Sequence, residues 1–275
     1  MKEQKTVVRD FFDRVVYYTP YEKRYVERTN LNAYDILKRR DVVIDDLDRM
    51  ELRRGKLLDI GCGPAVYTPE LVSRGFEVWG VDIAPGVVER AREIMSRHPQ
   101  GDRAHFVVGD IENLDFPDDS FDVIVVMGLF DYLPKDEPPL KQVARLLKPG
   151  GIAFISLQNR FSYQTVVRTA VWPLRPLLRA LFGGTARSRE LTGDHITKTH
   201  TPRAFKATAA QFGLEPVLDD WTNFNLIPFN LPGRLPRLYL RVHDWINDSP
   251  RIRRKLPWLF GSYLVALRKR TRGRA

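Results

Sequence analysis

Cysteine occurs only once in the 275 residues, at Cys62, which excludes an internal disulfide and a cysteine-rich metal site. Long apolar runs are also missing: none approaches the roughly 20 residues of a membrane-spanning helix. The first residues, MKEQKTVVRDFFDR, are charged throughout and lack the apolar centre of a signal peptide. We therefore expect a cytoplasmic protein that does not cross a membrane.

Acidic residues are absent from two long segments. Residues 159–189 contain six arginines and no acid, and residues 251–275 contain nine basic residues and no acid. Over the whole chain, 44 Lys and Arg outnumber 34 Asp and Glu, for a formal charge of +10. This excess favours an anionic partner, but it does not distinguish among nucleic acid, a membrane surface and an anionic substrate.

Short apolar segments alternate with helix-like segments between about Lys56 and Leu157. The apolar segments are rich in β-branched and aromatic residues and read KLLDI, EVWGVDI, AHFVV, FDVIVVM and GIAFISL. Because a strand such as VIVVM is apolar without alternation, we expect helices to bury both faces of the sheet. The pattern predicts an α/β fold built on a mainly parallel sheet.

The first predicted strand leads into a glycine turn, LLDIGCGPA, followed by a helix-like segment. Glycine in such a turn lets the backbone approach a ligand and direct free N–H groups at it. The third glycine of the dinucleotide fingerprint is replaced by Val66. Asp59, at the start of the turn, would repel a pyrophosphate but suits a ligand with an ammonium group.

Two further acids end the next two predicted strands. Asp82 ends VWGVD, where an acid can accept hydrogen bonds from both hydroxyls of a ribose, and Asp110 follows in VVGDIENL. With Asp59, these acids would meet at the carboxyl edge of the sheet. An ammonium group, a ribose and an exocyclic amine are all hydrogen-bond donors, so the pattern predicts a ligand that joins adenosine to an amino acid, namely S-adenosylmethionine.

The run from Leu57 to Leu157 resembles the core of class I S-adenosylmethionine-dependent methyltransferases, the group that includes small-molecule, quinone and natural-product enzymes. The resemblance is carried by LLDIGCGPA, VWGVDIAPG, VVGDIENLDFPDDSFDVIVV and RLLKPGG, in the family's order and at ordinary spacing. It implies a Rossmann-like, mostly parallel sheet of seven strands with helices on both faces. The last strand, here SYLVALRKR, would run antiparallel.

The resemblance also implies which residues hold the cofactor. In chain order they are Asp59, Gly61, Gly63, Asp82, Ile83, Asp110, Ile111 and Met127. The first three would surround the methionine moiety, and Asp82 would hold the ribose hydroxyls. Asp110 and the backbone of Ile111 would meet the adenine, and Met127 would lie near the sulfonium.

The catalytic group is less clear, because this chain reads DYL at residues 131–133, where many members of the family carry histidine. A hydroxyl acceptor needs a base to remove its proton, and the candidates are Asp131, His195 and His200. Tyr21, in a cluster of N-terminal tyrosines, is a fourth candidate; the alternative is that this cluster packs a helix on the sheet. The two histidines are five residues apart outside any clear helix, so we predict no metal site.

The regions around the predicted core differ from it in character. Residues 1–53 are predicted to form an N-terminal helical cover, and residues 54–275 a methyltransferase domain with acceptor-side insertions at about 158–200 and 221–260. Both insertions mix large apolar residues with arginines. They fit either a lid that directs its arginines into solvent or an interfacial element on an anionic membrane, which would make the protein peripheral to the membrane.

The sequence thus predicts methyl transfer to a small or lipid-like acceptor, with oxygen as the preferred acceptor atom. RNA or DNA methylation is a rival that the basic charge supports. No second nucleic-acid module is visible, however, and the fourth motif reads MGLFDYL where amine-methylating nucleic-acid enzymes carry an acid or amide followed by two prolines. The other rival is a protein that binds S-adenosylmethionine without catalysis. Nothing in the sequence indicates the oligomeric state.

Overall fold

The structure, a computed structural model, describes residues 2–18, 31–171, 198–224 and 237–271. Within these residues one sheet of seven strands has the order β3-β2-β1-β4-β5-β7-β6. The strands are β1 Gly55–Ile60, β2 Phe76–Asp82, β3 Ala104–Val108, β4 Phe121–Val126, β5 Leu147–Gln158, β6 Leu214–Phe224 and β7 Phe260–Lys269.

The first five strands pair in parallel, whereas β7 is antiparallel to both β5 and β6. This arrangement confirms the predicted Rossmann-like sheet with an antiparallel last strand. The strand order reverses between β1 and β4, which places a crevice at the carboxyl ends of these two strands.

Helices precede, connect and follow the strands. They are α1 Lys2–Tyr18, α2 Leu31–Arg49, α3 Thr68–Ser73, α4 Pro85–Met95, α5 Glu137–Leu146, α6 Tyr163–Val171, α7 Pro202–Ala210, α8 Arg237–Asn247 and α9 Pro250–Lys255. Among the residues that the structure describes, no helix is both long enough and apolar enough to span a bilayer.

Both faces of the sheet are buried, as the uninterrupted apolar strands predict. Leu58 of β1 and Ile124 of β4 belong to one apolar cluster, whereas Leu57 and Val123, one residue earlier in each strand, belong to the other. Successive side chains of a strand point to opposite faces, so each central strand contributes to two cores. The rigid double core fixes the strand ends that carry the site.

The N-terminal helices are attached to later helices by polar contacts. On α1, Asp13 accepts a hydrogen bond from the backbone N–H of Gly86 at 2.8 Å. On α2, Lys38 Nζ lies 3.1 Å from Asp244 and 2.7 Å from Asp248 at the end of α8. Helix α1 is therefore connected to α4, and α2 to α8.

Candidate functional site

The turn after β1 has three left-handed residues, at Gly61, Gly63 and Ala65, with φ of 75°, 54° and 59°. Glycine adopts this conformation without steric cost, whereas alanine does so at roughly 1–2 kcal/mol. Ala65 is fully buried, so its methyl group is packed in the core. Ala65 therefore carries a steric cost that the two glycines of the turn do not.

Open space lies beside this turn. A Cβ atom built on Gly63 would meet no atom within 4 Å. Next to the turn, Asp59 is 1% exposed, and its Oδ2 has no hydrogen-bond partner among the described residues. Burial, and then the nearby charge of Asp82, raises the pKa of Asp59 to about 8. A buried carboxyl group without a partner is suited to a cationic ligand group.

Asp82 ends β2 on the opposite side of the turn. Its Oδ2 accepts from the backbone N–H of Gly63 at 3.2 Å, and its Oδ1 accepts from that of Ala84 at 3.0 Å. Burial raises the pKa of Asp82 to about 6, although these backbone hydrogen bonds oppose the shift. Ile83, the next residue, is half-buried. The carboxylate thus connects the ends of β1 and β2 at the edge of the crevice.

The third acid, Asp110, follows β3. Its Oδ2 lies 2.5 Å from Lys5 Nζ on α1, and its Oδ1 accepts from the backbone N–H of Glu112 at 3.0 Å. Ile111 is buried in the same apolar cluster as β1 and β4. Asp110 therefore fixes the β3 loop and also anchors α1 near the predicted adenine end of the site.

After β4, Met127 is half-buried and packs against the apolar cluster that contains Leu57 and Val123. The N–H of the following residue, Gly128, donates to Ser156 Oγ at 2.8 Å, and the φ of Gly128 is 65°. The structure thus places all the predicted cofactor residues along the carboxyl ends of β1, β2, β3 and β4. Their roles toward the cofactor stay predictions.

Arg39 of α2 is a further candidate, which the sequence analysis missed. Its Nη1 lies 3.5 Å from Ser156 Oγ. The same atom is so close to Gly128 that a Cβ atom built on that glycine would lie only 2.7 Å from it. In one orientation of the Asn223 side-chain amide, both its nitrogen and its oxygen have hydrogen-bond partners. In that orientation the amide oxygen accepts from Arg39 Nη2 at 3.0 Å. Arg39 Nε is buried without a hydrogen-bond partner, and no carboxylate of a described residue forms an ion pair with this guanidinium. The contact joins residues distant in sequence, so no local pattern could have revealed it.

Two catalytic candidates, Asp131 and His200, lie together. His200 Nδ1 is 3.5 Å from Asp131 Oδ1, and Nε2 is 3.1 Å from Asp136 Oδ1. Asp131 also accepts from the backbone N–H of Gln158 at 2.9 Å, and Lys198 Nζ lies 2.6 Å from Asp136. These contacts attach Lys198 and His200, which shortly precede α7, to the loop after β4.

The environment of His200 favours its charged form. Burial lowers the pKa of His200, but the hydrogen bond to Asp136 and the charges of Asp131 and Asp136 outweigh burial and raise it above 6.5. The two other catalytic candidates, Tyr21 and His195, lie outside the described residues. In the described part of the chain, no group of three or more His, Cys, Asp or Glu could hold a metal ion.

Comparison with known proteins identifies a known domain within the chain. Residues 57–151 match the family described as "Methyltransferase domain". The chain is 36% identical over 158 residues to a biotin biosynthesis bifunctional protein BioHC of Cellvibrio japonicus, covering 55% of this chain and 30% of that protein. It is 30% identical over 148 residues to a ubiquinone biosynthesis O-methyltransferase of Coxiella burnetii, covering 52% and 62%. The chain thus spans less than two thirds of these relatives' lengths.

Solved structures share the fold over nearly the whole chain. Magnesium protoporphyrin IX methyltransferase from Synechocystis, solved with bound SAH, has a TM-score of 0.66 at 16% identity and covers 96% of this chain and 99% of its own. A protein described as the [4+2]-cyclase SpnF has a TM-score of 0.63 at 17% identity, covering 96% and 95%. At these identities the likeness concerns the fold alone.

Three observations now agree: the strand order, the acid-lined crevice at the β1–β4 reversal and the family match over residues 57–151. The orphaned carboxyl of Asp59 and the open space beside Gly63 fit a ligand with an ammonium group. With the family match over residues 57–151 and the neighbour solved with bound SAH, the predicted resemblance and the predicted cofactor are confirmed, and residues 57–151 match a methyltransferase domain.

Proposed function

We propose that this protein transfers a methyl group from S-adenosylmethionine to an oxygen atom of a small or lipid-like acceptor. When bound, S-adenosylmethionine supplies an already activated methyl group, so the protein needs chiefly to bind and orient the reactants. Support comes from the domain match and from curated relatives described as ubiquinone biosynthesis O-methyltransferases.

In this proposal the acids of the crevice hold the cofactor. Asp59 faces the ammonium group, and Asp82 holds the ribose hydroxyls. Asp110 and the backbone of Ile111 meet the adenine, and Met127 lies near the sulfonium. The open space beside the glycine turn supports this assignment, because the backbone there can approach a ligand without a side chain in the way.

The observation that favours oxygen as the acceptor atom is Arg39. It places a partly buried guanidinium against Gly128, directly after β4, and no carboxylate of a described residue pairs with it. A cation there stabilises an acceptor oxyanion and so lowers the pKa of a phenol or carboxylic acid. It would disfavour a protonated amine.

The catalytic candidates divide into two groups in this proposal. Asp131 and His200 hold each other and, with Asp136, fix the segment before α7 over the end of β5. We assign them a positioning role. His195 and Tyr21, outside the described residues, stay candidates for the base that removes an acceptor proton.

The test compares the wild type with Arg39→Met, which keeps the unbranched apolar stem of the side chain but removes the charged guanidinium. Transfer of labelled methyl is measured to a catechol, a hydroxybenzoate, a long-chain fatty acid and matched amines. We expect transfer to at least one oxygen acceptor and a loss of about tenfold to a hundredfold in kcat/KM in the variant, because a charged hydrogen bond is lost.

Calorimetry with S-adenosylmethionine separates the two anions that Arg39 could bind. An unchanged Kd in Arg39→Met assigns the guanidinium to the acceptor. A Kd that rises by the whole catalytic loss assigns it to the methionine carboxylate of the cofactor instead. Methyl transfer to amines alone would contradict the proposed acceptor class.

A second candidate is binding of S-adenosylmethionine without methyl transfer. A protein described as a [4+2]-cyclase has the same fold at a TM-score of 0.63 and 17% identity, so this fold also occurs in a protein that is not described as a methyltransferase. Fold therefore does not determine the reaction. Tight cofactor binding, with no labelled methyl transferred to any acceptor in a lipid or small-molecule extract, would support this alternative.

A further inference from the structure

The helix α8 exposes an apolar stripe. Leu238, Val242 and Trp245 are 72%, 37% and 68% exposed, and Arg241 between them is exposed too. Their spacing of three, four and seven residues places all four on one face of the helix. An isolated exposed apolar residue is ordinary, whereas an aligned set that includes a tryptophan indicates an interaction surface.

The opposite face of α8 is fixed to the protein. His243 is buried, and its ring centroid lies 4.4 Å from that of Tyr34 on α2. Asn247 is buried too: its Oδ1 accepts from the N–H of Phe224 at 3.1 Å, and its Nδ2 donates to the carbonyl of Phe224 at 3.3 Å. The helix is thus docked through its polar and aromatic side, and its apolar stripe faces outward.

The segment that follows α8 also exposes apolar side chains. Ser249 caps α9 through a hydrogen bond from the N–H of Ile252, and Arg253 is buried with its Nε 3.1 Å from Asp220. Two large apolar side chains of this segment are exposed to solvent. Leu256 and Trp258 are 39% and 52% exposed. We call Leu238, Val242, Trp245, Leu256 and Trp258, with the basic residues described next, the α8–α9 surface.

The charge of the α8–α9 surface is positive. Its exposed basic residues are Arg241, Arg251, Arg254 and Lys255. The acids of this region are Asp244 and Asp248, and both lie within 3.1 Å of Lys38 Nζ on α2, which offsets part of their charge. In the described part of the chain these four cations form no ion pair, and exposed Trp and Leu beside such Arg and Lys are the composition of elements that lie in the interface of an anionic bilayer.

We propose that the α8–α9 surface docks the protein on an anionic lipid membrane. Charge complementarity selects this occupant, since anionic headgroups can pair with the four cations while the apolar side chains enter the acyl boundary. A second copy of the chain would oppose like charges. Residues 172–197 of this chain carry four arginines and two acids, so they would be repelled as well. A nucleic acid would leave the apolar stripe in contact with phosphates.

Docking would place the acceptor side of the site toward the bilayer. Phe224, which α8 covers, follows directly after Asn223, and the Asn223 oxygen accepts from Arg39. One helix therefore links the outward surface to the Arg39 end of the crevice. Entry of an amphipathic acceptor from the membrane rests on the proposed function. Membrane docking itself does not depend on that function.

The test is sedimentation of the full chain with vesicles of phosphatidylcholine alone and of phosphatidylcholine with about a third phosphatidylglycerol, at moderate salt. We expect binding to the anionic vesicles and little to the neutral ones. Trp245→Ser/Trp258→Ser and Arg251→Ser/Arg254→Ser should each lower the partition coefficient at least tenfold. For the second pair, loss of two surface charges predicts about thirtyfold.

The control is Arg97→Ser/Val217→Ser. It removes an exposed cation just after α4 and an exposed apolar side chain from β6, both outside the α8–α9 surface. It should sediment like the wild type. Calorimetry with S-adenosylmethionine checks that each variant is folded and keeps its cofactor site, so a failure of docking is distinguishable from a failure of the proposed function.

Three results would overturn the proposal. The first is equal or negligible sedimentation with both vesicle types. The second is vesicle binding that neither double variant reduces relative to the control. The third is binding to RNA or DNA, reduced by the arginine pair but not by the tryptophan pair, in the absence of vesicle binding. Quenching of Trp fluorescence by brominated lipid, lost in Trp245→Ser/Trp258→Ser, would support insertion directly.

Discussion

At the scale of single residues, the buried carboxyl of Asp59 is the clearest sign of a ligand. Its Oδ2 has no partner among the described residues, and burial followed by the charge of Asp82 raises its pKa to about 8. In the ligand-free protein it therefore carries a proton at neutral pH. A cationic ligand group beside it would favour the carboxylate and release that proton.

Asp59→Asn should affect stability and binding in opposite directions. The folded pKa of Asp59 is raised above its unfolded value of 3.8, so its protonation contributes stability that is lost as pH rises through about 8. At pH 9 the ligand-free variant should melt at a higher temperature than the wild type, because no charge is buried. Its Kd for S-adenosylmethionine should rise at least tenfold. A lower melting temperature at every pH together with an unchanged Kd would contradict this role.

At the scale of elements, the β1–α3 turn was predictable because its glycines are local in sequence. A glycine turn was expected from the motif LLDIGCGPA, and so were the acids at the ends of β2 and β3; the structure adds that Gly61 and Gly63 are left-handed. The contacts of His200 with Asp131 and Asp136, and of Arg39 with Gly128, join separate elements. Periodicity and spacing report local structure only, so they could not reveal these pairs.

Gly63→Ala and Gly213→Ala form a matched pair that tests the turn. Both glycines are left-handed, with φ of 54° and 73°, and a Cβ on either would meet no atom within 4 Å. Each substitution should lower the free energy of unfolding by roughly 1–2 kcal/mol, the cost of a left-handed alanine. Only Gly63→Ala should weaken S-adenosylmethionine binding in calorimetry, since Gly213 lies in the turn between α7 and β6. Equal Kd values in the two variants would mean that the space beside Gly63 is not the cofactor's.

At the scale of the whole molecule, charge is divided between two regions. Acids line the crevice at the ends of β1, β2 and β3, whereas the exposed cations of α8 and α9 form a basic surface with apolar side chains. The sequence revealed the excess of +10 but not its distribution, because which cations pair with acids depends on tertiary contacts such as those of Lys38. The predicted insertions fall partly outside the described residues, at 172–197 and 225–236.

The measurement that tests the central claim most directly is calorimetry of S-adenosylmethionine and S-adenosylhomocysteine binding to the wild type, Asp82→Asn and Asp122→Asn. The last variant is the control, because Asp122 lies near the amino end of β4 and accepts from the N–H of Lys56 at 2.8 Å, away from the crevice. We predict micromolar binding to the wild type, about −8 kcal/mol, a Kd at least tenfold higher in Asp82→Asn and an unchanged Kd in Asp122→Asn. Absence of binding by either ligand, or equal losses in the two variants, would contradict the account.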